Sequence, residues 1–208
     1  MTNSESGRNR TLNTASDSSL FRFAKPYFDY IGKGKIYSLF YIAMAILNLL
    51  IPFSVIYIVI ESGFLQRSGA KVVVGFIFSL IVIFFASWIG FQLWWCRKSG
   101  IRKVEAAEFI ATPVISDLIQ TSGEWLGTYI AITSAGIGLI AVIFLGHSTG
   151  SAFSPFNFNF LEYAPLMIIG GPVAGFFIIL ISRFFAEQVK IFTSIANNTR
   201  EIARNSKK

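Results

Sequence analysis

Residues Val72–Cys96 read VVVGFIFSLIVIFFASWIGFQLWWC, twenty-five positions without one charged side chain. An apolar run of about 20 residues matches the hydrocarbon thickness of a bilayer. Three more stretches share the property: Ile36–Ile60, Trp125–Gly146 and Tyr163–Ser182. All four are continuously apolar rather than alternating, which argues against a membrane barrel. A spanning segment must satisfy its own backbone hydrogen bonds, so each run is expected to be a helix. The expected fold is an all-α integral membrane protein, with four transmembrane helices (36–60, 72–96, 125–146, 163–182) in two hairpins across residues 36–182.

The composition agrees. Hydrophobic residues are 53% of the 208-residue chain and charged residues 14%, against about 25% charged in average proteins. The net charge of +7 raises nucleic acid as a partner. The basic residues flank the apolar runs instead of clustering on a soluble fold, so anionic inner-leaflet lipids are the expected partner and nucleic acid is not. One cysteine, Cys96, and one histidine, His147, leave no internal disulfide and no Cys/His zinc site within one chain. No cofactor is expected.

The flanks predict an orientation through the positive-inside rule. Sixteen of the eighteen Lys and Arg residues lie in the N-terminal tail, the segment between spans two and three, or the C-terminal tail; only Arg67 and Lys71 lie in the other two loops. Both termini and the middle loop, 97–124, are expected in the cytoplasm. No cleavable signal peptide is expected, and span one reads as a signal anchor. A bacterial inner membrane is the expected location. Trp94, Trp95, Trp125, Tyr37 and Tyr163 sit at span ends and read as an interfacial aromatic belt.

Residues 1–19 are expected to be a disordered polar tail. Residues 20–35 interleave Phe21, Phe23, Tyr27, Phe28 and Tyr30 with Arg22, Lys25, Lys33 and Lys35, a composition suited to the membrane surface. In the middle loop, Thr112 suits an N-cap and Pro113 the first helical position. Val114, Ile115, Leu118 and Ile119 follow on one face, and Gly123 is expected to bend or end the helix. Glu105 and Glu108 read as a solvated face, with Arg102 placed to pair with Glu105. Residues 183–208 are expected to form an amphipathic cytoplasmic helix. Phe185, Val189, Phe192, Ile195, Ala196, Ile202 and Ala203 make its apolar stripe, and Arg183 and Glu187 form an i, i+4 pair. The stripe is expected to pack on the middle-loop helix, with contact to another chain as second choice. In the outer loop, 147–162, Phe153 and the alternating Phe156, Phe158 and Phe160 are expected to dip into the outer membrane interface, with an exposed surface for a partner as the alternative.

Inside the spans, small residues recur four apart at Ala86 and Gly90, Gly127, Ala131 and Ala135, Ser134 and Gly138, and Gly171 and Gly175. Such spacing allows close helix approach. Asn48 and Pro52 form a polar notch, because the proline removes the hydrogen bond to the carbonyl of residue 48; it is expected to be a kink whose polar groups bond across helices, with a small-solute or ion site as the alternative. Thr133 and Ser134 are placed at a similar depth. Pro172 is a second expected kink. No carboxylate lies within a span, no phosphate loop is present, and no nucleophile motif accompanies His147.

The resulting expectation is a non-catalytic scaffold, accessory or regulatory subunit. It would bind a protein partner, or form a homo-oligomer, through its cytoplasmic helices and outer aromatic loop. The alternatives are a small-solute transporter or oligomeric channel using the Asn48/Pro52 notch, and a lipid-modifying enzyme.

Overall fold

A computed structural model describes residues 35–101, 111–145 and 163–206. They form α1 (Lys35–Glu61), a one-turn α2 (Phe64–Arg67), α3 (Ala70–Ile101), α4 (Ala111–Ile140), a π-helical turn (Ala141–Leu145) and α5 (Ala164–Asn205). No strand occurs among the described residues. The helices α1, α3, α4 and α5 are each long and apolar enough to cross a membrane, as an integral membrane protein requires. The Phe153, Phe156, Phe158 and Phe160 segment, Glu105, Glu108, His147 and the 1–34 region lie outside the described residues.

Neighbouring long helices run antiparallel. The turn between α1 and α3 is built on Gly63, whose φ of 65° suits a residue without Cβ. Phe64 tucks beneath the turn against Val59 and Phe76. At the opposite end of the same pair, Tyr41 meets Trp94 edge-on, with ring centroids 5.3 Å apart. Between α3 and α4, Gly90 faces Trp125 while Gly136 faces Val82 and Gly75 faces Phe144. Pro52 and Pro172 both lie inside helices that continue through them.

The tightest seam joins α4 to α5. On α4 the line Gly123, Gly127, Ala131, Ser134 and Gly138 meets Ser182, Gly175, Gly171 and Ala164 of α5. A Cβ on Gly127 would collide with the Gly175 carbonyl oxygen, and one on Gly175 with the Gly127 carbonyl oxygen. The expected small-residue spacing is therefore used within the chain, where lipid tails offer no competing hydrophobic drive and close backbone contact must hold the helices. Large apolar side chains such as Phe53, Ile81, Ile143 and Ile169 face outward, which costs nothing against an acyl-chain solvent.

One expectation fails here. Gly123 does not end its helix: α4 runs unbroken from Ala111 to Ile140, so the middle-loop helix and the third span are one element. Gly123 is present because Ser182 of α5 occupies the space that a side chain would need.

Candidate functional site

The four long helices converge on a set of charged and polar side chains near one end of the packed region. Asp117 and Glu124 stand seven residues apart on α4, two turns along one face. Tyr41 of α1 donates its hydroxyl to Asp117 Oδ2 at 2.8 Å. Arg97 of α3 bridges both carboxylates, at 3.0 Å to Asp117 Oδ1 and 2.5 Å to Glu124 Oε2. Arg183 of α5 donates from Nε at 2.9 Å and from Nη2 at 2.8 Å to Glu124 Oε1. Gln120, one turn before Glu124, donates to the same oxygen at 3.0 Å.

Two guanidiniums face two carboxylates, so the cluster is neutral as a whole. Glu124 is buried, and each of its oxygens has at least one charged donor. Such pairing offsets the desolvation of the carboxylate. The cluster ties α1, α3 and α5 to α4, and its donors and acceptors are engaged with one another. Among the described residues no group of three His, Cys, Asp or Glu could hold a metal. The geometry is that of a clamp that holds the four long helices together.

By spacing alone Arg183 pairs with Glu187 on its own helix. In the structure Arg183 turns to Glu124 instead. Glu124 already holds Arg97, so Arg183 completes a network across three helices where Glu187 offers only an exposed pair.

Deeper along the helices lies a second polar contact. Asn48 of α1 donates its amide to the Met44 carbonyl at 2.8 Å and accepts the indole N–H of Trp125 at 2.5 Å. A Cβ on Gly90 would lie 2.5 Å from Asn48 Oδ1 and 2.8 Å from Trp125 Nε1, so the bare glycine of α3 leaves room for this bond. Pro52 is fully buried one turn further along α1.

Thr133 and Ser134 do not join Asn48. Trp125 marks the level of Asn48 on α4, and Thr133 lies eight residues beyond it, about 12 Å along the helix. The Thr133 hydroxyl donates to Tyr129 of its own helix at 2.6 Å, and Ser134 packs against Gly171. The amide and indole groups of the notch satisfy each other across helices.

The aromatic belt needs a similar correction. Trp94 is completely buried with Tyr41, Ala45 and Val114, and Trp125 packs against the same cluster. Trp95, the next residue, points outward and carries Lys98 above its ring at 4.7 Å. Alternate faces of one helix end separate core from interface.

The far end of α5 contrasts with these buried clusters. Ser116 of α4 donates to the Ala186 carbonyl at 2.7 Å, so α5 packs on the start of α4 for about one turn past Arg183. Ala186 is the last buried residue of α5, and the helix continues to Asn205. Along that extension Phe192, Ile195 and Ile202 are 67%, 56% and 70% exposed and Val189 is half-buried, while Phe185 at its root is 54% exposed. The contact with the start of α4 is made by Ala186, beside the expected stripe, while Phe185, Phe192, Ile195 and Ile202 of the stripe itself stay exposed.

Comparison of this chain with family models, curated proteins and solved structures finds no match.

Proposed function

We propose that this chain is a non-catalytic membrane protein that acts by binding partners at the cytoplasmic face of a bacterial inner membrane. The observation that carries this reading is the extension of α5 beyond its last buried residue, with Phe192, Ile195 and Ile202 uncovered on it and Phe185 uncovered at its root. In lipid an uncovered phenylalanine is unremarkable. On a helix segment carrying Glu187, Lys190, Arg200, Glu201 and Arg204, which belongs in water, a row of large apolar side chains calls for a protein surface. The clamp at Glu124 supports this role by fixing the root of α5 against α3 and α4, which presents the extension in one orientation.

The excess of Lys and Arg at both termini and in the segment after α3 supports placing this end of the molecule inside the cell. Transport through the Asn48 notch loses its motivation, because the amide is committed to Met44 and Trp125. The test is a photoreactive residue placed at Phe192 or Ile195 in the full chain in native membranes. Capture of a discrete protein species there, and not at Ser194 on the opposite face, is the expected result. Absence of any captured species at all three positions rejects the proposal.

A further inference from the structure

We propose that the projecting part of α5 pairs in parallel with the same segment of a second copy of this chain. This rests on the reading above, in which the extension is the binding surface, and names its occupant.

The bilayer is a poor cover for the stripe. From Phe176 to Asn205 the sequence contains no glycine and no proline, and α5 is a single helix through this region. Its 42 residues make a rod of about 63 Å, twice a hydrocarbon core of about 30 Å. A helix that leaves the membrane along its spanning axis carries its far end away from the surface, whereas a surface-bound amphipathic helix lies in the interface plane. The nineteen residues after Ala186 extend about 28 Å beyond the last packed position.

The spacing suits a helix partner. Phe185, Val189, Phe192, Ala196, Thr199 and Ala203 follow one another at alternate steps of four and three. That is the seam of a left-handed coiled coil, with Val189, Ala196 and Ala203 in one class of core layer and Phe185, Phe192 and Thr199 in the other. Ile195 and Ile202 flank the seam and widen the apolar face. Glu187, Lys190, Glu201 and Arg204 lie off it and Arg200 borders it beside Thr199, so no charged residue occupies the seam itself. Over its first half the phenylalanine layers at 185 and 192 alternate with Val189 and Ala196, which lets large and small side chains interdigitate, and Ala196, Thr199 and Ala203 continue it with small residues.

Membrane insertion supplies the register. Two copies in one bilayer share an orientation, so their α5 extensions emerge side by side and parallel. A two-fold axis along the membrane normal then sets each seam residue opposite its own copy. The interface is isologous and closes at two chains.

The test uses the full chain with Cys96→Ser and single substitutions Phe192→Cys, Thr199→Cys, Glu187→Cys or Ser194→Cys, oxidised in native membranes. Positions 192 and 199 lie on the seam; 187 and 194 lie opposite. The expected result is a disulfide-linked dimer several-fold more abundant at 192 and 199 than at 187 and 194. Equal or absent dimer at all four overturns the second copy as occupant. A photoreactive residue at 192, run alongside, separates the two claims. Capture of a different protein overturns this inference and keeps the binding reading, whereas capture of nothing overturns both.

Discussion

Arg183 of α5 reaches Glu124 of α4 at 2.8 Å, and the other oxygen of that carboxylate holds Arg97 of α3. Three helices thus meet on one side chain. Removing a partner from a fully buried ion pair costs about 3–5 kcal/mol. Arg183 is 56% exposed, so solvent screens part of the loss, and Glu124→Ala should destabilise the protein by roughly 2 kcal/mol. Arg183→Ala should cost less than Arg97→Ala, whose side chain is 28% exposed and serves both carboxylates. Thermal unfolding in mild detergent measures all three.

Asn48 and Trp125 are coupled through one hydrogen bond. Interhelical hydrogen bonds in membranes average about 0.6 kcal/mol and reach about 1.7. Asn48→Leu and Trp125→Phe should each destabilise within that range, and the double variant should cost clearly less than the two added together. A double-mutant cycle reads this coupling. Additive losses would mean that the bond contributes nothing.

Gly170 and Gly171 are sequence neighbours with opposite surroundings. A Cβ on Gly171 would strike Ser134 of α4, while one on Gly170 finds its nearest neighbour, Leu166 Cγ, at 3.9 Å. Gly171→Ala should lower stability by about 1–3 kcal/mol through overpacking. Gly170→Ala should be neutral or stabilising by up to about 1 kcal/mol, since alanine is the better helix former. The same melting measurement separates the pair, and equal effects would contradict the seam between α4 and α5.

Reporter fusions test the orientation. With sixteen of eighteen basic residues at three flanks, a reporter that works only in the cytoplasm should be active after residue 35, after Ile101 and after Lys208, and inactive within the segment between α1 and α3. Activity in that segment would invert the placement of the α5 extension.

The sequence made the spanning helices plain because charge is excluded from them: Val72–Cys96 could hardly be anything else. It also marked the seam, since Gly127, Gly171 and Gly175 keep four-residue spacing. The clamp stayed hidden. Arg97, Glu124 and Arg183 are 27 and 59 residues apart, and each sits where a hydropathy scan records only the end of a span. A charge beside an apolar run looks the same whether it faces water or another helix. Trp94 and Trp95 posed the same ambiguity: adjacent indoles at one boundary, one completely buried and one exposed. Helical phase relative to a neighbour decides between them, and neighbours are a tertiary property. Gly123 misled because its local meaning, a helix breaker, was overridden by its tertiary one, room for Ser182.

The most direct measurement of the binding account is mass spectrometry of material co-purified in mild detergent with the full chain and with Phe192→Asp/Ile195→Asp. Both residues are exposed, at 67% and 56%, so the substitutions should leave folding intact, as an unchanged melting temperature would verify. The account predicts that wild-type material contains a stoichiometric second chain, identical or different, and that the double variant lacks it. Recovery of the same chains with both proteins, or of a lone monomer with wild type, would contradict it.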